Sequence, residues 1–163
     1  MTIEVLNSLD RDKFVSAVGW IFEHSPWVAE RAWSGRPFPT IDVLHRAMVE
    51  QVESASPEAQ LSLLRAHPDL GTRVRLSEAS TAEQTGAGLD RLTPAEFQKL
   101  QRLNFEYRDK FGFPFLLAVR GATKHDILQA LGQRLQCARN QEYREALRQV
   151  YQIARFRIEE ILG

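Results

Sequence analysis

The chain has 163 residues, 44% of them hydrophobic, and sets 21 Lys plus Arg against 21 Asp plus Glu, so its formal net charge is zero. That length suits one domain, 1–163, with a full hydrophobic core, and the balanced charge removes the electrostatic case for nucleic acid or an anionic membrane as partner. Cys137 is the single cysteine, which excludes an intramolecular disulfide and makes a reducing, cytoplasmic location the expectation. No apolar run approaches the ~20 residues that span a bilayer.

Helical periodicity dominates from the start. Asp10 can cap a long first helix with Phe14, Val15, Val18, Ile21 and Phe22 on one face. Ser25-Pro26 restarts the chain as a helix carrying Trp27 and Trp33, closed by Gly35 and Pro37. Thr40 caps a third, striped by Val43, Leu44, Ala47 and Met48, and Ser56-Pro57-Glu58 opens a fourth that His67-Pro68 stops. Residues 69–92 carry weak periodicity and many turn formers, which predicts a loop with a short helix around 80–86. Thr93-Pro94-Ala95-Glu96 has capping-box spacing and begins a helix to about Lys110. Helices over Lys124–Cys137 and about Gln141–Leu162 complete the chain. No stretch alternates long enough for a strand. The expected architecture is all-α, one bundle of about seven to nine helices.

Near its end the chain breaks this pattern. Lys110-Phe-Gly-Phe-Pro-Phe-Leu-Leu-Ala-Val-Arg120 is an apolar run interrupted by Gly112 and Pro114, which a helix interior tolerates poorly. The spacing predicts an extended segment over 111–120, whose amides lack helical partners and need others. A bound polar small molecule is one candidate.

Three side chains are candidates for chemistry. His67, at a helix end, has the ordinary pKa of a neutral-pH acid or base, and the helix terminus favours its charged form. The plainer reading is a cap on the Leu63 or Leu64 carbonyl. Glu83 can face a pocket and pair with His67, or complete a capping box with Ser80. Arg157 falls beside Ala154 and Ile158 on a buried stripe, so it needs an anionic ligand or a salt bridge, to Glu83 or Asp69 for example. Phe111 and Phe113 are the aromatics expected to line a pocket, and Trp20, Trp27, Trp33, Phe105 and Tyr107 to fill core or interface. Serine-elbow, phosphate-loop, dinucleotide and zinc motifs are absent, so an enzyme on this chain is expected to work without metal or organic cofactor.

Five ordered blocks carry a resemblance: Phe22-Glu-His-Ser-Pro-Trp27, His67-Pro-Asp-Leu-Gly71, Ser80-Thr-Ala-Glu83-Gln84 running into Ala87-Gly-Leu-Asp90, Asn104 with Tyr107 and Lys110-Phe-Gly-Phe-Pro-Phe115, and Ile153-Ala-Arg-Phe-Arg157. Together they resemble the 2-oxo-4-hydroxy-4-carboxy-5-ureidoimidazoline (OHCU) decarboxylases of urate breakdown. The resemblance implies an all-α cofactor-free lyase, often dimeric, that turns OHCU into S-allantoin. It implies His67 and Glu83 as catalytic residues. It also implies substrate binding by Pro68, Glu83, Gln84, Phe113, Leu116, Leu117, Ala118 and Arg157. Two rivals stand beside it: a lyase on another small cyclic ureide, and a non-catalytic helical module using the Trp27 and Trp33 helix as partner surface. Nucleic-acid binding through Arg73, Arg75 and the last helix fails on net charge.

Overall fold

The computed structural model describes residues 1–72 and 77–163. Among the described residues there are nine α-helices and no strand: α1 (Ile3–Ser8), α2 (Arg11–Val18), α3 (Trp27–Ala32), α4 (Ile41–Glu53), α5 (Pro57–Arg65), α6 (Glu78–Gly86), α7 (Pro94–Phe111), α8 (Lys124–Arg134) and α9 (Arg139–Leu162). The all-α fold expected from periodicity is the one observed. Arg73 and Arg75 lie outside the described residues.

Local chemistry accounts for most helix starts. Thr2, Asp10, Thr40, Ser56, Ser77, Thr93 and Thr123 each place a side-chain oxygen on an amide of the first turn, at a typical ~1 kcal/mol apiece. α7 and α8 add the reciprocal half, with Glu96 and Asp126 accepting from the cap residue's own amide. The Lys124 ammonium and the Thr93 amide hold the Glu96 carboxyl at a pKa of about 2. α7 closes on Gly112, whose φ of 80° is the left-handed conformation that ends a helix at little cost to glycine.

The chain forms two compact units, Met1–Ala66 with Val150–Gly163, and His67–Gln149. In the first, Leu6, Phe14, Val18, Phe38, Leu44, Met48, Ala154 and Ile158 are buried. Arg36 donates to the Asn7 and Leu9 carbonyls and lies 4.2 Å over the Trp33 ring. In the second, Tyr107, Phe111, Phe113, Phe115, Ile127, Leu131 and Leu147 form the core.

The differences from expectation have local causes. α1 is six residues, under two turns, too short to show a period. The first long helix stops at Val18, yet Ile21 and Phe22 stay buried; the apolar spacing there reports burial after the backbone has turned. α6 starts on Ser77, so Glu83 lies inside the helix and is not the capping-box partner of Ser80, whose amide donates to Ser77 Oγ at 3.1 Å. α8 ends at Arg134, short of Cys137, and α9 begins at Arg139, ahead of Gln141.

Candidate active site

In the second unit the site is built on the loop that follows α5. Ala66 caps that helix with its own amide on the Ser62 and Leu63 carbonyls, and Pro68 prevents any further turn. His67 comes between them and is buried, at 5% exposure. Three side chains from α6 and α7 hold the next three residues. Arg108 pairs with Asp69 at 3.0 Å, Asn104 Nδ2 donates to the Leu70 carbonyl at 2.9 Å, and the Gly71 amide donates to Gln84 Oε1 at 2.9 Å.

Glycine is required at position 71. Its φ is +73°, and a Cβ there would sit 2.4 Å from a Leu100 methyl. The bond between Gln84 and Gly71 registers α6 against the loop that follows Pro68. Gln84 is buried, and Glu83 and Pro68 are half-buried. Gln84 accepts through its oxygen and keeps its NH2 for another acceptor. The loop residues Asp69 to Thr72 also line a cavity of about 210 Å³ with Gln101, Asn104 and Arg108 of α7.

The irregular run after Gly112 belongs to the same unit. Residues 114–119 are neither helix nor strand. Phe113 and Phe115 have no exposed surface. The Phe113 ring is packed on Tyr107 and Phe111 at 6.0 and 6.1 Å and on Tyr143 at 6.1 Å. Both phenylalanines expected to line a pocket, Phe111 and Phe113, are thus part of an aromatic core around Tyr107. Leu116 is buried, and Leu117 and Ala118 are half-buried.

The polar groups of this run divide sharply. The Leu116 carbonyl accepts from Arg134 Nη1, and the Ala118 amide donates to Gln149 Oε1 at 2.9 Å. Among the described residues no acceptor meets the amides of Leu116 and Leu117. A largely buried amide without a partner is rare in a folded protein.

Sequence reasoning missed the groups behind that run. Arg134 Nε and the Tyr107 hydroxyl both donate to Glu142 Oε1, at 2.8 and 2.5 Å. Burial and the Glu142 carboxylate push the Tyr107 hydroxyl far above the ordinary phenol range. The signal was present: Glu142 falls four residues before Ala146 and eight before Val150, a charge on an apolar stripe, and Arg134 follows Leu131 by three.

Arg157 lies in the first unit and is 1% exposed. Its partner is Glu23, at 2.9 Å, and not the Glu83 or Asp69 named as candidates; Asp69 is taken by Arg108. Arg157 Nη1 also donates to the Trp20 and Ile21 carbonyls at 3.3 and 3.2 Å. Among the described residues no group of three His, Cys, Asp or Glu is placed to hold a metal ion, and no helix is long and apolar enough to cross a membrane.

The chain is similar to known proteins over nearly its whole length. A model of the OHCU decarboxylase family matches residues 7–159. A 2-oxo-4-hydroxy-4-carboxy-5-ureidoimidazoline decarboxylase of Halalkalicoccus jeotgali is 50% identical over 161 residues, covering 99% of this chain and 92% of the relative. A uric acid degradation bifunctional protein of Bacillus subtilis is 46% identical over 99% of this chain, which spans 33% of that longer protein. The crystal structure of an (S)-allantoin synthase superposes with a TM-score of 0.83 at 38% identity, over 99% of this chain and 54% of that one. With the family model spanning nearly its whole length and a relative half identical over 161 residues, the chain belongs to the OHCU decarboxylase family.

Proposed function

We propose that this chain, acting as a single domain over 1–163, decarboxylates OHCU to S-allantoin without metal or organic cofactor. The observation that carries the reading is an irregular run in which amides, those of Leu116 and Leu117 among them, meet no acceptor among the described residues, in the unit that also carries His67 and Glu83. A planar ureide presents carbonyl oxygens that accept from such amides. The half-buried Ala118 and the core ring of Phe113 would then act through the shape of the segment. Gln84, held by the Gly71 amide, adds an NH2 donor from the same unit.

The chemistry needs little else. The substrate's carboxylate sits on a ring carbon that also bears a hydroxyl and adjoins a carbon–nitrogen double bond. Breaking the carbon–carboxylate bond sends its electron pair toward that double bond, whose nitrogen takes a proton. Loss of the hydroxyl proton and return of a proton to the carbon carrying the ureido group then give allantoin. His67 handles the hydroxyl proton as general base and acid, and Glu83 orients it. Because one face of that carbon is protonated, the site sets the hand of the product.

A lyase acting on a different cyclic ureide is the alternative. A panel of small cyclic ureides, each followed by carbon dioxide release, separates the two: OHCU turns over and the others do not. Faster release from another ureide than from OHCU contradicts the assignment. A cytoplasmic homodimer is part of the same proposal, with the single free Cys137 supporting the reducing compartment.

A further inference from the structure

Behind the irregular segment is a buried polar chain to which none of the site residues above belongs. Tyr107 and Glu142 are fully buried, and the Arg134 side chain is 12% exposed. Tyr107 of α7 and Arg134 of α8 converge on one carboxylate oxygen of Glu142 in α9. From there the Arg134 guanidinium reaches over the Phe115 ring, 4.6 Å from its centre, and donates to the Leu116 carbonyl.

An ion pair at this depth contributes little net stability, because desolvating both charges offsets their attraction. Its geometric consequence is more specific. The peptide bond between Leu116 and Leu117 is trans, since the one cis bond among the described residues is Arg36-Pro37. In a trans peptide the carbonyl and the next amide lie in one plane and point oppositely. Fixing the Leu116 carbonyl on Arg134 therefore fixes the Leu117 N–H on the far side. That N–H has no acceptor among the described residues, while the next amide, Ala118, is already taken by Gln149.

We propose that Arg134, anchored by Glu142 and Tyr107, is a positioning residue: by holding the Leu116 carbonyl it aims the Leu117 amide at the substrate. The inference rests on the function proposed above. The ligand group it serves is a neutral carbonyl oxygen of a ureide, which a single well-directed N–H recognises. Arg134 touches no reacting atom, and its contribution is the orientation of one peptide plane.

The test compares wild-type protein with Arg134→Met, which keeps the length and removes the charge, and with Arg134→Lys and Tyr107→Phe. Each is assayed for kcat and KM on freshly generated OHCU, with thermal melting run alongside. Losing one directed hydrogen bond lowers kcat/KM by about tenfold in Arg134→Met, with the change mostly in KM. Arg134→Lys falls between, because an ammonium reaches the carbonyl without spanning it and Glu142 in a planar fork. Tyr107→Phe keeps the packing and moves KM the same way by less. Should Arg134→Met fail to fold, the Lys and Phe variants carry the comparison. A folded Arg134→Met with wild-type KM and kcat overturns the positioning role, as does a lowered melting temperature with unchanged kinetics. An inactive wild-type protein overturns the functional reading itself, which separates the two failures.

Discussion

Replacing His67 with Ala is expected to lower decarboxylation by about 10²- to 10⁴-fold, the range for losing a positioned acid–base group, while far-ultraviolet circular dichroism stays helical. The fold should survive, because other side chains hold the residues that follow. Asp69, Leu70 and Gly71 are held by Arg108, Asn104 and Gln84, and Pro68 and the Ala66 cap set the turn. The reaction should slow by that factor, because His67 is the one imidazole in the His67–Gly71 loop. If the chain were a helical binding module, the same substitution would lower the melting temperature and change nothing else. Steady-state turnover with a parallel melt reads both quantities. Near-normal turnover in the folded variant contradicts the role given to His67.

Arg157→Ala should produce the largest loss of stability of any single change considered. The substitution leaves Glu23, 2% exposed, without its guanidinium at 2.9 Å. Breaking a buried pair from one side typically costs 3–5 kcal/mol, a large share of the ~5–15 kcal/mol that holds a domain folded. The Trp20 and Ile21 carbonyls lose their donor at the same time. Urea denaturation of the single variant and of Arg157→Met with Glu23→Gln gives the comparison. The double variant should recover part of the loss, because no unpaired charge remains. Any effect on KM belongs to the folded fraction at low temperature, where a binding role raises KM and a transition-state role lowers kcat. A single variant as stable as wild type contradicts the buried pair.

Much of this was legible in the chain, for reasons that vary by residue. Caps and prolines marked helix starts at Asp10, Thr40, Ser56 and Thr93 because those residues satisfy amides locally. Gly112 and Pro114 marked the irregular segment for the same reason: the signal is within a few bonds of its effect. Arg157 was legible as a buried cation because arginine on an apolar stripe needs a partner. Its partner Glu23 was not, since the pair is 134 positions apart in sequence and periodicity says nothing about which carboxylate arrives.

The tie between Gln84 and Gly71 was hidden for that reason too, and so was the link from Arg134 to the Leu116 carbonyl. Ser77 was missed as the α6 cap because Ser80 offered an equivalent oxygen three residues on. Sequence chemistry thus locates single residues that break a pattern, and folding decides which of them meet. The five ordered blocks supplied what periodicity lacked, by marking the family to which the chain belongs.

The most direct test of the central claim follows the hand of the product. OHCU is generated in place from urate by urate oxidase and the hydrolase that acts on its product, and circular dichroism is read where allantoin absorbs. With this protein present, a signal of S-allantoin should rise well ahead of the slow, optically silent formation of racemate. A trace indistinguishable from the racemic background, given by protein with intact helical dichroism, would contradict the assignment of OHCU as substrate.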